Sequence, residues 1–310
     1  MQLYRFSFTA MGGRNELQFF APTVSAAETW AEIAIAEVRR IEHKYSRYRP
    51  DSVLSAINQA AGKQAVSIDS ETSTLLDYAA ACYLQSQGRF DPTSGVLRHG
   101  WDFQQGIPPS PERIAQLRTL VGWQKVVRTP DQIFLPEHGM ELDFGGIGKE
   151  YACDRAADLC FAAGAQHGLV NLGGDLRILG PQPDGSAWRI GIQHPRQPNA
   201  VLATLLLNDG ALASSGDYER YFIHEGRRYC HVLDPLSGFP VEFWQSVSVV
   251  APRCLVAGSL STLAMLSPCD DANRLLDTTG LPWLGCTMQG ELCGSLLTQT
   301  ALAEQDMTRL

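Results

Sequence analysis

The chain has 310 residues, of which 45% are hydrophobic and 19% are charged, so it has enough apolar surface to build a large core and is not intrinsically disordered. The length exceeds the usual ~100–200 residues of one domain, which predicts one large domain or two lobes that share a core. The chain contains 25 Lys and Arg residues and 33 Asp and Glu residues, and the net charge of −8 argues against a general nucleic-acid-binding protein, since such proteins are usually basic.

The N-terminal segment and the cysteines predict a cytoplasmic protein. Residues 1–6 contain no apolar core that ends at a cleavage site, which a signal peptide requires. No run of ~18 apolar residues is long enough to span a membrane. The eight cysteines are scattered, without a CxxC pair or a Cys–His cluster at zinc spacing. We therefore expect free thiols in a reducing compartment.

The first half of the chain is predicted to mix strands and helices. Residues 2–20 form two strands around a turn at Met11–Gly13. Apolar residues at three- and four-residue steps predict a helix over 25–44, with Ser25 as its cap and Glu28 completing a capping box. The further elements expected here are a helix from Ser52 to about residue 59, a helix at 70–87, a loop at 104–111, a helix at 111–120 and strands at 123–128 and 132–135.

The second half is predicted to be richer in strands. A helix is expected at 148–163, where Gly164 ends it. The strands expected in this half lie at 168–172, 175–179, 187–193, 201–207, 219–224, 227–233, 246–251, 282–287 and 291–296, and two helices lie at 256–266 and 270–278. The sequence shows no internal repeat and no low-complexity linker, so it marks no domain boundary.

Two glycine-rich turns are candidate anion sites. The segment Asp143–Ala152 (DFGGIGKEYA) opens a predicted helix, whose free N–H groups and dipole favour an anion, and Lys149 adds a positive charge. It matches neither a Walker loop nor the dinucleotide fingerprint, so a purely structural turn remains the alternative. The segment Asn171–Asp175 (NLGGD) is equally typical of an ordinary hairpin.

Other polar clusters are less specific. His231 ends a predicted strand and is a candidate general base, because its ordinary pKa is near neutrality; a hydrogen-bonded core histidine is the alternative. The turn from Asp91 to Thr93 precedes aromatic residues that would wall a planar ligand or simply fill a core. Gly258 and Thr262 are one helical turn apart, on the same face of a predicted helix.

The order and spacing of these segments resemble the FAD:protein FMN transferases, the ApbE-type flavin transferases, over nearly the whole chain. The segments that carry the resemblance are Met11–Gly12, Glu42–Tyr48, Ser52–Asn58, Gly88–Leu97 with Trp101, Leu142–Asp154, Asn171–Gly180, Trp188–Pro195, Ala213–Pro240 and Val256–Leu263. The resemblance implies an α+β fold of mixed sheets and helices, with a flavin cleft between two closely joined lobes. It also implies that residues 1–310 form a single flavin transferase domain.

The same resemblance implies an activity and a set of site residues. Such enzymes bind FAD and Mg²⁺, cleave the pyrophosphate, release AMP and transfer FMN to a Ser or Thr hydroxyl of an acceptor flavoprotein. Carried over to this chain, the catalytic residues are His231 and Asp217. The residues expected to bind the flavin nucleotide are Met11, Tyr48, Asn58, Asp91, Thr93, Lys149, Asp154, Asp175, Ser215 and Tyr218. The acceptor motif Asp-Gly-x-(Ser/Thr)-Gly-Ala-(Ser/Thr) is absent here, so self-modification is not expected.

The metal site implied by the resemblance departs from the family pattern. The carbonyl of Gly148, where the family usually has Ala, and the hydroxyl of Thr262 are two expected ligands. The third ligand of the family is an Asp, and here that position is Gly258. Glu150 stands where the family usually has Gly, and we hypothesise that it supplies the missing carboxylate; a surface helix residue is the alternative. If the lost Asp impairs the chemistry, a catalytically weak FAD-binding protein or an FAD pyrophosphatase is the alternative function.

Overall fold

A computed structural model describes residues 1–297. The strands, in chain order, are β1 (Gln2–Ala10), β2 (Gly13–Ala21), β3 (Val66–Ser67), β4 (Val127–Arg128), β5 (Gln132–Phe134), β6 (Gly168–Leu172), β7 (Asp175–Gly180), β8 (Trp188–Gln193), β9 (Val201–Leu207), β10 (Gly210–Gly216), β11 (Tyr221–His224), β12 (Arg227–Cys230), β13 (Trp244–Ala251), β14 (Trp283–Thr287) and β15 (Leu292–Cys293). The α-helices are α1 (Val24–Tyr45), α2 (Val53–Gln59), α3 (Ser70–Gln85), α4 (Pro111–Arg118), α5 (Gly148–Ala162), α6 (Cys254–Met265) and α7 (Cys269–Thr279).

One large sheet organises the chain, with strand order β1-β2-β6-β7-β10-β13-β14-β15. The paired strands of the described residues run antiparallel. Helix α5 packs on β6 and β7, and α6 packs on β10 and β13. The combination of sheets and helices confirms the expected α+β class.

The two faces of the sheet bury different clusters, as the two-residue period of a strand requires. On β6, Val170 and Leu172 belong to the core beneath the helices, whereas Leu169 belongs to a second cluster on the opposite face. That second cluster is completed by Trp188 and Leu205 of the β8–β9 hairpin. The sheet is therefore covered on both sides in this region.

Most predicted elements are present, and three of the differences bear on how the chain folds locally. The cap of α1 is Thr23, whose hydroxyl accepts a hydrogen bond from the N–H of Ala26 at 3.2 Å, rather than Ser25. Residues Trp123–Lys125 form a 3-10 turn before the short β4. Strand β10 was not predicted, because GALASSG is rich in small residues with weak strand preference. It is held by pairing with β7 on one side and β13 on the other.

Candidate active site

The glycine-rich turn before α5 lies directly against α6. Gly146 has a φ of +82°, which favours glycine, and a Cβ there would lie 3.1 Å from Oγ1 and from Cγ2 of Thr262. Only a residue without a side chain allows this approach. The turn and Thr262 thus form one wall of a cleft.

Two cavities of about 350 and 680 Å³ make up the cleft, a size typical of small-molecule sites. Both are lined by Lys149, Glu150 and His231, so they are parts of one continuous space. The cleft lies at the first turn of α5, the end of β10 and the segment that follows β12. The sequence-predicted residues Met11, Asp91, Asp175, Ser215, Tyr218 and Thr262 also line it.

Lys149 and Asp175 form the charged pair at the centre of the cleft. Lys149 Nζ lies 2.7 Å from Asp175 Oδ2, and Asp175 Oδ1 accepts a hydrogen bond from the N–H of Ser214 at 3.1 Å. Burial alone would lower the pKa of Lys149, but the charges of Asp175 and Glu150 raise it above its ordinary value. The ammonium group therefore stays charged and is fixed beside the glycine turn, where an anion would enter.

Glu150 is buried, with 6% of its surface exposed, which overturns the alternative of a surface helix residue. Its side chain lies opposite Gly258: a Cβ at position 258 would be 2.3 Å from Glu150 Cγ. Burial, followed by the charge of Asp175, raises the pKa of Glu150 to about 7. The carboxyl group is thus held in the cleft, between α5 and α6.

Three hydroxyls lie together at the side of the cleft formed by α6. Ser215 Oγ is 2.9 Å from Ser261 Oγ and 3.0 Å from Thr262 Oγ1. Ser261 Oγ donates to the carbonyl of Gly258 at 2.9 Å. Gly148, whose carbonyl is an expected metal ligand, is the first residue of α5 and is buried, and its role remains a prediction.

His231 opens onto the cleft just after β12. Its backbone N–H donates to the carbonyl of Arg220 at 3.0 Å, which fixes the segment that carries the ring. The residue is exposed at the surface of the cleft, but the desolvation imposed by the surrounding walls, followed by the positive charge of Arg220, lowers the pKa of His231. The imidazole is therefore neutral near pH 7 and able to accept a proton.

Tyr218 and Asp217 are neighbours in sequence but differ in environment. Tyr218 lines the cleft, and its ring lies where a side chain on Gly216 would stand, 2.2 Å from the position of that Cβ. Asp217 is 1% exposed, accepts from both Nη atoms of Arg196 at 2.6 and 2.7 Å, and does not line the cleft. Arg196 occupies both carboxylate oxygens, which supports a structural role for Asp217 instead of the expected catalytic one; the catalytic role stays an untested prediction.

Three other expected nucleotide-binding residues lie outside the lining of the cleft. Asp154 caps α6, with its carboxylate accepting from the N–H groups of Cys254 and Leu255 at 2.9 Å. Asn58 bonds the backbone of Leu142 in both directions, at 2.7 and 3.0 Å. Tyr48 is 70% exposed. The contacts of Asp154 and Asn58 are structural, and the binding roles of all three residues stay predictions.

Asp91 and Thr93 hold the turn beneath the cleft. Asp91 Oδ1 accepts from Thr93 Oγ1 at 2.6 Å, and Asp91 Oδ2 accepts from the N–H of Trp123 at 3.0 Å. Thr93 is fully buried, and its hydroxyl accepts from the N–H of Gly122 at 2.7 Å. Asp91 lines the cleft, whereas Thr93 only shapes the turn.

Met11 occupies the opposite rim, in a backbone conformation with a φ of +55°. Its N–H donates to Glu42 Oε1 at 2.5 Å, and this bond to α1 stabilises a conformation that is uncommon for a residue with a side chain.

Arginines of the cleft were missed by sequence reasoning. The cleft is lined by Arg47, Arg89, Arg98, Arg189 and Arg220. Arg47 pairs with Asp143 and Arg98 pairs with Glu141, whereas Arg89 and Arg220 form no ion pair within the described residues 1–297. A signal was available, since all of them except Arg98 lie within segments that resemble the flavin transferases.

Within residues 1–297, no group of three or more His, Cys, Asp or Glu residues is arranged to hold a metal ion. All eight cysteines are free thiols, as expected. No helix in the described part of the chain is long and apolar enough to cross a membrane.

Comparison with known proteins agrees with the arrangement of the cleft. The ApbE family matches residues 11–284. The chain is 31% identical over 268 residues to the FAD:protein FMN transferase of Klebsiella pneumoniae (strain 342), covering 84% of this chain and 82% of that protein. It is 30% identical over 256 residues to the FAD:protein FMN transferase of Escherichia coli (strain K12), covering 79% and 73%.

Solved structures show the same fold. The ApbE protein of Thermotoga maritima superposes with a TM-score of 0.89 at 30% identity, covering 96% of this chain and 99% of that one. The flavin transferase ApbE of Vibrio cholerae superposes with a TM-score of 0.85 at 25% identity, covering 95% and 97%. From its sequence, its fold and the residues gathered in its cleft, the chain belongs to the ApbE family.

Proposed function

We propose that this protein is an FAD:protein FMN transferase that acts on a Ser or Thr hydroxyl of an acceptor flavoprotein and releases AMP. The observation that carries the proposal is the joining of Lys149, the glycine turn and His231 in one cleft. The names of the relatives give the substrate and the reaction class. The proposal extends to a single domain over residues 1–310 and to the cytoplasm, which the eight unpaired cysteines support.

The reaction requires an oxygen–phosphorus bond to form as the pyrophosphate breaks. The acceptor oxygen attacks the phosphorus of the FMN half, the bond to the bridging oxygen breaks, and AMP leaves. The hydroxyl proton passes to the neutral imidazole of His231, which is open to the cleft. The products are FMN in a phosphodiester link to the acceptor, AMP and one proton.

Lys149 and the first turn of α5 supply positive charge for the phosphates. The ammonium group is fixed by Asp175 at 2.7 Å, and the free N–H groups at the helix start favour anions. Arg89 and Arg220 add unpaired cations to the same cleft, within the described part of the chain. Since phosphoryl transfer depends mainly on positioning and charge stabilisation, this arrangement fits the proposed reaction.

A divalent cation fits the oxygen atoms present on the other wall. The Thr262 hydroxyl lines the cleft and would hold it, in keeping with the preference of Mg²⁺ for oxygen ligands; the carbonyl of Gly148, which does not line either cavity, stays a predicted ligand. Such a cation would withdraw charge from the pyrophosphate oxygens and so activate the phosphorus toward attack.

The test is to incubate the protein with FAD, Mg²⁺ and an acceptor domain carrying the motif Asp-Gly-x-Thr-Gly-Ala-Thr. We expect AMP in solution and the mass of one FMN group added to the acceptor. AMP without a change in acceptor mass would identify an FAD pyrophosphatase instead. FAD that stays bound without AMP release would identify an FAD-binding protein.

A further inference from the structure

Glu150 is unlike the other buried carboxylates of the protein. The buried acidic residues of the described chain are Glu37, Asp91, Glu150, Asp154, Asp175 and Asp217. Five of them have an Arg or Lys within ion-pair distance or accept hydrogen bonds from neighbouring groups. Glu150 Oε2 is buried and has no hydrogen-bond partner within residues 1–297. A buried carboxylate without a partner is costly, so this oxygen is expected to meet a ligand.

The cation next to Glu150 is shared with another carboxylate. The charge of Lys149 acts on Glu150, but its ammonium group is engaged by Asp175 at 2.7 Å. Asp175 adds a second negative charge on the same side of the cleft. Glu150 lines the cleft together with Thr262. A cation that enters from the cleft would therefore meet two carboxylates with one ammonium group between them, and would give Glu150 Oε2 the partner that it lacks.

Gly258 explains how this carboxylate reaches α6. Glycine inside a helix costs about 1 kcal/mol relative to alanine, yet α6 has one at this position. A Cβ at 258 would lie 2.3 Å from Glu150 Cγ and 3.0 Å from Glu150 Cδ. The bare backbone of α6 thus leaves room for the Glu150 side chain, one helical turn before Thr262.

We propose that Glu150 is a ligand of the divalent cation in this cleft, and that its carboxylate occupies the space that a side chain at position 258 would fill. A carboxylate from α5 and a hydroxyl from α6 would then hold the ion between the two helices. The identity of the ion as Mg²⁺ rests on the proposed function, whereas the placement of the ligand rests on the geometry alone.

The proposal predicts that the carboxylate can be moved from one helix to the other. The probe is Mn²⁺, titrated into the purified full-length chain without FAD, with free Mn²⁺ measured by electron paramagnetic resonance. Glu150→Gln keeps the shape of the side chain and should weaken Mn²⁺ binding by roughly tenfold or more. The double variant Glu150→Gly with Gly258→Asp should restore affinity to within roughly threefold of the unaltered protein.

The matched control is Glu219→Gln. Glu219 is exposed and lines the same cleft, so this variant changes the charge of the cleft equally without removing the proposed ligand. Its Mn²⁺ affinity should change by less than about twofold, since exposed charges are well screened. Circular dichroism melting of each variant separates loss of the ligand from loss of the fold.

The proposal is overturned if the unaltered protein binds no Mn²⁺, if Glu150→Gln binds it as tightly as the unaltered protein, or if Glu219→Gln weakens binding as much as Glu150→Gln. These outcomes concern Mn²⁺ binding and do not depend on whether the protein transfers FMN. If Glu150→Gln loses Mn²⁺ but the unaltered protein transfers no FMN, the ligand stands and the proposed function fails. If FMN is transferred but Glu150→Gln keeps its Mn²⁺ affinity, the proposed function stands and the ligand fails.

Discussion

Adding one methyl group at position 258 should destabilise the protein, although the same change usually stabilises a helix. Gly258→Ala removes the flexibility of a glycine inside α6, which ordinarily gains about 1 kcal/mol. The new Cβ would lie 2.3 Å from Glu150 Cγ, and overpacking of this kind costs ~1–3 kcal/mol in a tightly packed interior. The steric cost outweighs the gain, so we expect the free energy of unfolding to fall by about 1 kcal/mol.

A double-mutant cycle isolates this contact. In a Glu150→Ala background the obstructing Cγ is gone, and Gly258→Ala should raise the free energy of unfolding by about 1 kcal/mol. The coupling between the two positions is then about 2 kcal/mol. Urea unfolding with a metal chelator present, at one fixed pH, measures all four proteins. If Gly258→Ala stabilises both backgrounds equally, Glu150 does not approach α6 as described and the reasoning fails.

Three further predictions follow from the surroundings of individual side chains. The pKa of Glu150 is raised from 4.5 to about 7, so the metal-free fold favours the protonated form. The contribution of this group to stability is therefore fully present below pH 4.5 and falls by roughly 2–3 kcal/mol as the pH rises to 7. The difference in the free energy of unfolding between Glu150→Gln and the unaltered protein, measured with urea at pH 5 and pH 8, should change by this amount. His231→Asn should slow FMN transfer by ~10²–10⁴-fold while FAD binding, followed by flavin fluorescence, is kept. Because desolvation and the charge of Arg220 lower the pKa of His231, the acid limb of the pH–rate profile for FMN transfer should lie below pH 6.5. An unchanged transfer rate in the variant would remove His231 from the role of general base. Asp217→Asn breaks a buried pair with Arg196 and should lower the free energy of unfolding by about 3 kcal/mol, with transfer per folded molecule retained; a stable but inactive variant would contradict the structural role.

Local patterns predicted the elements whose side chains alternate or repeat clearly. The β1–β2 hairpin and α1 were predicted because their apolar residues follow the periods of a strand and a helix. Strand β10 escaped prediction because its small residues carry little strand preference, and its pairing with β7 and β13 is decided by strands distant in sequence. The strand predicted at 227–233 stops at Cys230, since the N–H of His231 bonds the Arg220 carbonyl outside the ladder.

Some residues of the candidate site could likewise be predicted from the sequence, whereas the roles of others depend on contacts between distant parts of the chain. Lys149, Glu150 and Thr262 were predicted from the order of motifs, and they meet in the cleft. Asp154 was predicted as a nucleotide-binding residue, but it caps a helix that begins 100 residues later, and no local pattern contains that contact. Asp217 was predicted as catalytic, whereas its partner Arg196 comes from a loop whose position only the fold determines.

The measurement that tests the central claim most directly is the intact mass of an acceptor domain after incubation with this protein, FAD and Mg²⁺. We expect one added FMN group per acceptor, with an equal amount of AMP, and no addition when the motif Thr that carries the acceptor hydroxyl is replaced by Ala. An acceptor that remains unmodified while FAD is cleaved, or FAD that remains intact, would contradict it.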